Sequence, residues 1–205
     1  MNKAQTSIAI SQLRPTQITV GMREVELKCR QLQQLEKRPS ELIEFILEHP
    51  IRVVLGPLET AYVIDHHHLA LALKLERFET APMKVAHNFS SLTPSSFMKK
   101  MQAEGLIHSY DAAGKLKPLT SLPKKLKGLE DDPYRSLAGF VRNAGGYEKA
   151  EIPYAEFIWA DFYRLRIKEK LVLKHFSKAL KLAIELARDE AASNLPGFIK
   201  TPIKK

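Results

Sequence analysis

The stretch "YVIDHHHLALAL", residues 62–73, changes character at its centre. Its first three residues are of the kinds enriched in strands, whereas the Leu/Ala run at its end is typical of a helix. Asp65 and the three histidines 66–68 therefore fall where a strand becomes a helix. We expect Asp65 to cap a helix that begins at His66 and runs to about Arg77.

This turn predicts a phosphate site. The first N–H groups of a helix have no partner inside the helix, and the helix dipole is positive at that end. His67 and His68 add imidazole groups to these donors. Asp65 adds a carboxylate that could hold a metal ion or accept a proton.

Two other interpretations of the turn stay open. Successive helical residues point about 100° apart, so three adjacent histidines cannot bind one metal ion together. Asp65 and His68, one turn apart, could supply two ligands of a zinc site whose other ligands come from elsewhere. Alternatively, Asp65 is a simple helix cap and the histidines are ordinary polar residues with satisfied hydrogen bonds.

The segments around the turn predict an α+β core. The runs "IRVVL" and "AYVID" are of strand type, and Gly56–Thr60 between them predicts a hairpin. Strands are also expected within 7–15 and 83–87, and helices over 23–38 and 41–49.

From Thr93 onward the pattern is mainly helical. A tight turn is expected around Asp111 and Gly114. Helices are predicted within 93–106, 131–146 and 154–167, followed by a last long helix with apolar positions 167, 171, 176, 180, 184 and 187. Because no Gly/Ser-rich linker is present, we predict a core over 1–92 and a helical extension over 93–205, packed as one body.

The composition is that of an ordinary globular protein, with 44% hydrophobic and 27% charged residues among 205. No apolar run approaches the roughly 20 residues that span a bilayer, and the N-terminus lacks the apolar stretch of a signal peptide. The one cysteine, Cys29, excludes an internal disulfide and is expected in the core. We therefore expect a cytoplasmic protein with no membrane partner.

The net charge of +9 makes anionic partners plausible, whether nucleotides, other phosphates or DNA. Lysines cluster within 122–129 and 168–181. Lysines on the outer face of an amphipathic helix are usually a solvated surface, so these clusters alone do not predict nucleic-acid binding.

The helical half carries a second group of candidates. Arg135 and Arg142 lie two helical turns apart, so they share a face with Gly139 between them. This face could bind phosphate, or its arginines could pair with acids such as Asp131. Asp131 and Asp132 are most simply helix N-caps, although they could also hold a divalent metal.

The segment 154–166 places polar residues on two sides of an aromatic-rich helix, which predicts burial with satisfied charges. Glu156 lies on the side of Trp159, a residue expected in the core. Asp161 is expected to orient Arg164 or an arginine of the preceding helix. We expect this half to bring its acids and arginines over the Asp65 turn. A distance above about 15 Å between Asp65 and the arginines 135 and 142 would contradict that expectation.

The stretch "PIRVV…YVIDHHHLALA" resembles the Asp-Gly-His-His-Arg-x-x-Ala signature of the ParB/sulfiredoxin-like superfamily, and "ISQLRPTQITVGMREVELK" resembles the segment before it. The similarity is closest to the ParB-like nuclease family of bacteria, in which "DDPYRSLAGFVRNAGGY" and "AEFIWADFYR" look like recurring blocks. Together the four blocks cover roughly residues 10 to 165.

This resemblance implies a small α+β fold with a mixed sheet, in which the helix start binds nucleotide phosphates. Asp65 matches the acid of the signature, and His67 and His68 match its histidine pair. Two positions depart, because the signature glycine is His66 here and its arginine is Leu69. The glycine allows close backbone approach and the arginine can clamp a phosphate, so another cation must replace the arginine or the phosphate is held differently.

The resemblance also implies that the start of the 23–38 helix lies near the nucleotide, with Arg23 and Lys28 as candidate contacts. In the serine-kinase relatives a glutamate in this region acts as base, which makes Glu26 a candidate. A solvated helix face explains these three residues equally well.

The leading prediction is an enzyme that binds ATP, ADP, CTP or another phosphorylated ligand with Mg²⁺, and that cleaves a phosphodiester or transfers a phosphoryl group. Asp65 would be base or metal ligand, His66 to His68 would contact phosphate or donate protons, and Arg135 and Arg142 would stabilise charge. The alternative is a non-catalytic DNA-binding or partition-type module, whose binding would depend on salt and not on Asp65.

Overall fold

A computed structural model of the chain describes residues 6–200, which form two compact units. The first unit contains residues 6–20 and 25–130, and the second contains 21–24 and 131–200. Helix α1 (Met22–Leu35) therefore contributes residues to both units. The predicted division at residue 92 stays a prediction.

The first unit contains a mixed five-stranded sheet. Its strand order is β1-β6-β4-β5-β2, with antiparallel β1/β6 and β4/β5 pairs and parallel β4/β6 and β2/β5 pairs. This confirms the predicted α+β class with a mixed sheet. The strands are β1 (Thr6–Ala9), β2 (Arg14–Pro15), β4 (Ile51–Leu55), β5 (Ala61–Asp65) and β6 (Thr80–Asn88), and β3 (Thr19–Val20) and β7 (Glu130–Asp131) form a separate two-stranded sheet.

The β4–β5 hairpin is confirmed. The Gly56 N–H donates to the Thr60 carbonyl over 2.9 Å, which closes the loop. Leu58 and Glu59 at its tip have left-handed backbones, with φ of 56° and 54°. Val53 lies opposite Val63, but an irregularity in register places Arg52 opposite Asp65.

Three further helices belong to the first unit: α2 (Pro39–Glu48), α3 (His67–Leu75) and α4 (Pro94–Ala103). Every residue of α3 from Leu69 to Leu73 is buried, so this short helix lies in the core of the unit. Helix α4 begins as predicted, because the Thr93 hydroxyl accepts from the Ser96 N–H. Its Phe97 and Met101 pack with Val54.

The second unit is helical, with α5 (Pro133–Asn143), α6 (Ala155–Arg164), α7 (Glu169–Lys174) and α8 (Phe176–Ala187). Trp159 is fully buried as predicted, stacks on Tyr147 with ring centroids 4.2 Å apart, and donates its indole N–H to the Pro196 carbonyl. Its buried neighbours include Leu137 and Val141 of α5.

The prediction of one long last helix is wrong. The chain breaks at His175, whose φ of −139° and ψ of 53° are not helical, and α7 and α8 lie on either side. Helix α8 packs against α5 through the buried alanines 179, 183 and 187. These small side chains permit close approach of the two helices, so the larger predicted positions 176, 180 and 184 are only partly buried.

Within residues 6–200 no helix is long and apolar enough to cross a membrane. Even α1, with 14 residues, would extend only about 21 Å at 1.5 Å per residue.

Candidate functional site

The turn between β5 and α3 contains one backbone feature that the sequence pattern did not predict. Asp65 is the last residue of β5, His66 is left-handed with φ 67° and ψ 28°, and α3 begins at His67. The predicted cap is therefore wrong by one residue, because His66 and not Asp65 occupies the N-cap. A single left-handed residue redirects the strand into the helix. Asp65 nevertheless accepts a hydrogen bond from the His66 N–H over 2.7 Å.

His66 occupies the position of the signature glycine in the conformation that glycine adopts most readily. The ring nitrogen Nδ1 of His66 lies 3.1 Å from the Pro50 carbonyl oxygen. Because a carbonyl can only accept, Nδ1 is the donor in this contact. His49, which the sequence reasoning missed, lies beside it with ring centroids 6.1 Å apart, and its Nδ1 contacts the Phe45 carbonyl in the same way.

Arg52 is a cation at the turn that the sequence reasoning also missed. Its guanidinium lies 3.8 Å from the Asp65 carboxylate, and both side chains are about half exposed, at 51% and 52%. Counting back from the hairpin loop would have placed Arg52 opposite Ile64, one residue from Asp65. An exposed ion pair of this length is weak, so Arg52 can turn toward an anion at little cost.

The signature arginine position offers no cation. Leu69 is buried in the core of the first unit. A cation that replaces the signature arginine must therefore come from another position, and among residues 6–200 the Arg52 guanidinium on β4 lies beside Asp65.

The three histidines differ in burial and in their hydrogen bonds. His67 is 4% exposed, and its Nε2 accepts from the Thr16 N–H over 3.3 Å. The Thr16 hydroxyl donates to the Val63 carbonyl, so His67 and Thr16 together hold the chain after β2 against β5 and α3. His66 and His68 are partly exposed.

The candidates on α1 lie in both units. In the second unit, the Arg23 guanidinium stacks 4.4 Å from the centroid of the Phe176 ring. In the first unit, Glu26 is exposed, and Lys28 contacts Gln31 and lies over the Phe45 ring.

Cys29 is half-buried on α1, although it was expected in the core. Burial raises the pKa of its thiol to about 11, and a hydrogen bond with Glu76 adds to the shift. The thiol is therefore protonated and unreactive near neutral pH.

Charged residues in the second unit form a buried cluster. Arg135 contacts Glu24 over 2.7 Å and Glu156 over 3.9 Å, and Arg142 also contacts Glu156. The side chain of Arg135 is only 9% exposed. Gly139, between the two arginines, leaves the space that the Glu24 carboxylate occupies. Of the two interpretations left open for these arginines, pairing with acids is observed, with Glu24 and Glu156 as the acids rather than Asp131, and phosphate binding by this face stays a prediction.

The cap predicted at Asp132 is also confirmed. Its carboxylate accepts from the N–H groups of Tyr134 and Arg135 at the start of α5. Arg164 donates to Asp132 over 2.6 Å and also contacts Asp161, as predicted for that pair. Burial raises the pKa of Asp132 and of Asp161, and Arg164 opposes the shift in both.

Asp131 caps another helix. Its carboxylate accepts from the Met22 N–H over 2.8 Å, at the first residue of α1. Asp131 and Asp132 therefore satisfy two different helix starts.

The described residues contain no group of three or more His, Cys, Asp or Glu side chains that could hold a metal ion. A zinc site built on Asp65 and His68 would thus need ligands that residues 6–200 do not bring together. Mg²⁺ needs fewer protein ligands than zinc, because it is commonly bound by one or two carboxylates together with water and the phosphates of a substrate. Asp65 offers one such carboxylate.

Comparison with known proteins identifies the family. A family model described as "Putative ParB-like nuclease" matches residues 6–165, and the chain belongs to this family. The crystal structure of protein Atu1540 from Agrobacterium tumefaciens is 44% identical, with a TM-score of 0.85, and the match covers 95% of this chain and 97% of that chain. A search of curated proteins found no match. The family predicted from the four sequence blocks is confirmed.

Proposed function

We propose that this protein is a phosphodiesterase or phosphoryl-transfer enzyme that binds a nucleotide or another phosphorylated ligand at the β5–α3 turn. One observation carries the proposal: the left-handed His66 sets an exposed carboxylate, Asp65, directly before the start of α3, with Arg52 beside it. A carboxylate, a cation and a helix N-terminus together suit a phosphate group with an acid in reach of its reacting atoms.

Each group at the turn has a distinct role in this proposal. The first-turn N–H groups of α3 and the Arg52 guanidinium hold the phosphate oxygens. Asp65 either accepts the proton of the attacking group or holds Mg²⁺, which would neutralise phosphate charge when bound. His66 and His68 add two partly exposed imidazoles beside these groups.

His67 takes a different role from the one expected. Its Nε2 accepts from the Thr16 N–H, so its ring positions the turn instead of contacting the phosphate.

The roles expected of other residues rest on their chemistry alone. Arg135 and Arg142 contact carboxylates within the second unit, which supports a structural part for them, and their stabilising of phosphate charge stays a prediction. The same holds for Glu26 as base and for Arg23 and Lys28 as nucleotide contacts.

The first experiment is calorimetric titration with ATP, ADP and CTP, with and without Mg²⁺, of wild type, Asp65→Asn and Arg52→Gln. We expect Arg52→Gln to weaken nucleotide binding about tenfold, because it removes a charge-assisted contact. Arg38→Gln is the matched control, since Arg38 is an exposed arginine paired with Glu41 on α2.

The Asp65→Asn variant separates the two roles of the acid. If Asp65 holds Mg²⁺, the variant loses the part of the affinity that depends on Mg²⁺. Without the metal it should bind at least as well as wild type, because a negative charge near the phosphate is removed. Equal effects of Arg52→Gln and Arg38→Gln would contradict the site. Duplex DNA binding that is lost with salt and indifferent to Asp65→Asn would support the non-catalytic DNA-binding module instead.

A further inference from the structure

A second concave site lies in the first unit at the other end of β5. A cleft of about 520 Å³ opens between the turn Ile10–Gln12, the tip of the β4–β5 hairpin and the segment that contains Lys124 and Lys125. Ala61, which begins β5, contributes to its wall, whereas Asp65 ends the strand. Four residues of strand separate the two points by about 13 Å, so this cleft is not the β5–α3 turn.

Hydrogen-bond donors dominate the lining of the cleft. Arg14, Lys124 and Lys125 contribute three positive charges against one carboxylate, Glu59. The hydroxyls of Ser11 and Thr60 and the amide of Gln12 add neutral groups that can donate. This set of donors suits an anion.

The basic segment is held in place by its backbone. The Arg14 guanidinium donates to the Lys124 carbonyl over 2.7 Å. Leu126, directly after the two lysines, and Leu129, three residues further on, are buried. The lysine side chains are exposed, but the chain that carries them is fixed, which lowers the entropy lost when they bind a ligand.

An apolar side chain stands at the rim of the cleft. Leu58 is 96% exposed and lies at a left-handed backbone position that disfavours leucine. In a single strand the bases are unstacked and expose their flat faces, which an exposed apolar side chain can cover. A nucleic acid would therefore use both the donors and the exposed leucine, whereas an acidic peptide would use only the donors.

We propose that this cleft binds single-stranded nucleic acid, with Arg14, Lys124 and Lys125 on backbone phosphates and Leu58 against a base. A cleft of about 520 Å³ takes a ligand of one or two nucleotides. Since the cleft is concave, a flat lipid surface would meet only its rim. The proposal goes beyond the proposed function and does not depend on chemistry at Asp65.

The test measures binding of a fluorescent single-stranded 12-mer oligonucleotide to the full chain in the presence of EDTA. Binding is measured by fluorescence anisotropy over a series of salt concentrations. In Lys124→Gln/Lys125→Gln we expect binding to weaken about tenfold, and the slope of log K against log salt to fall by about 0.7 for each lysine. The matched control is Lys178→Gln/Lys181→Gln, which removes the same charge from exposed positions on α8. The control should change binding less than about twofold.

Leu58→Asn tests the apolar contact separately. It should weaken binding to the 12-mer and leave the salt slope unchanged, because no charge is removed.

Equal losses in the two lysine pairs would overturn the proposal, because binding would then follow net charge alone. If Lys124→Gln/Lys125→Gln weakened binding to phosphatidylserine vesicles but not to the 12-mer, the proposal would be overturned in favour of a lipid surface. If Asp65→Asn leaves the Mg²⁺-dependent part of nucleotide affinity unchanged while Lys124→Gln/Lys125→Gln still weakens 12-mer binding, the proposed metal role of Asp65 fails and the cleft proposal is unaffected.

Discussion

Two buried tyrosines in the second unit differ in how their hydroxyls are satisfied. Tyr147 donates to the Ala138 carbonyl over 2.9 Å. The hydroxyl of Tyr163 is buried and has no hydrogen-bond partner among the described residues. Burial raises the pKa of both phenols, so both stay protonated at neutral pH. An unsatisfied buried hydroxyl typically costs about 1–3 kcal/mol.

We therefore predict opposite effects for two conservative variants. Tyr163→Phe should leave the free energy of unfolding unchanged or raise it by up to about 1 kcal/mol, because it removes a polar group with no partner. Tyr147→Phe should lower it by about 1 kcal/mol, because the Ala138 carbonyl loses its donor. Urea unfolding of the two variants provides the comparison. A loss in Tyr163→Phe as large as that in Tyr147→Phe would show that the Tyr163 hydroxyl is bonded, for example to a buried water.

At the same scale, the sequence predicted the residues of the turn better than their orientation. Asp65 and the histidines lie at a strand-to-helix junction as expected, because strand and helix propensities change there locally. The burial of His67 had a visible signal, since Ala70 and Leu71, three and four residues on, continue its helix face inward. The sequence signal for Arg52 was weaker, because its position opposite Asp65 depends on an irregularity in the register of β4 and β5.

Among the elements of the second unit, α5 and the first turn of α1 pack unusually closely at Gly139. The Glu24 carboxylate lies so close to position 139 that a β-carbon there would require it to move, and it contacts Arg135. A glycine inside a helix is normally unfavourable by about 1 kcal/mol relative to alanine. Here it leaves room for an ion pair between the buried Arg135 and the partly buried Glu24.

Gly139→Ala should lower the free energy of unfolding by about 1–3 kcal/mol, because the Glu24 carboxylate must move aside and thereby weakens its contact with Arg135, a loss that outweighs the gain in helix propensity. In a Glu24→Ala background the overlap is gone, and the same substitution should then be stabilising. Urea unfolding of both single variants and the double variant gives the coupling energy. Additive effects of the two substitutions would mean that Glu24 does not limit the space at position 139.

Local signals explain which elements could be predicted. The β4–β5 hairpin and the caps at Thr93 and Asp132 depend on residues within a few positions of each other, and each was found. The break at His175 was not, because apolar residues keep helical spacing across it. After the break, α8 packs on α5 through alanines 179, 183 and 187, a contact between helices that the sequence of one helix does not contain.

At the scale of the whole molecule, α1 belongs to two units. Its first residues group with the second unit, and its residues from Val25 onward group with the first. The helix is one run of backbone hydrogen bonds, so loss of either unit would fray it.

We therefore predict a single unfolding transition for the full chain. Differential scanning calorimetry should show one peak, with a calorimetric enthalpy equal to the van't Hoff enthalpy. We expect the shared helix to couple the two units. Val25→Gly weakens α1 at the boundary between its two parts, so in that variant the calorimetric enthalpy should no longer equal the van't Hoff enthalpy. Two resolved peaks in the wild-type chain would contradict the prediction.

Sequence blocks predicted the family at this scale, but they could not predict which distant residues meet. Glu24 and Arg135 are 111 positions apart, and no local sequence pattern around either residue predicts that the two pair. The alternating charges of the helical half suggested internal pairing. The acid contributed by α1 becomes visible only in three dimensions.

The discontinuity of the second unit has a practical consequence for anyone who divides this chain. A fragment that starts at Asp131 would leave behind residues 21–24, and with them the carboxylate of Glu24 and the N–H of Met22. Arg135 would then keep only the more distant Glu156, and a buried guanidinium would lose its nearest counter-charge. Excising the helical half at one cut would therefore give an unstable fragment, and a fragment that regains those four residues by fusion or circular permutation is the one to express.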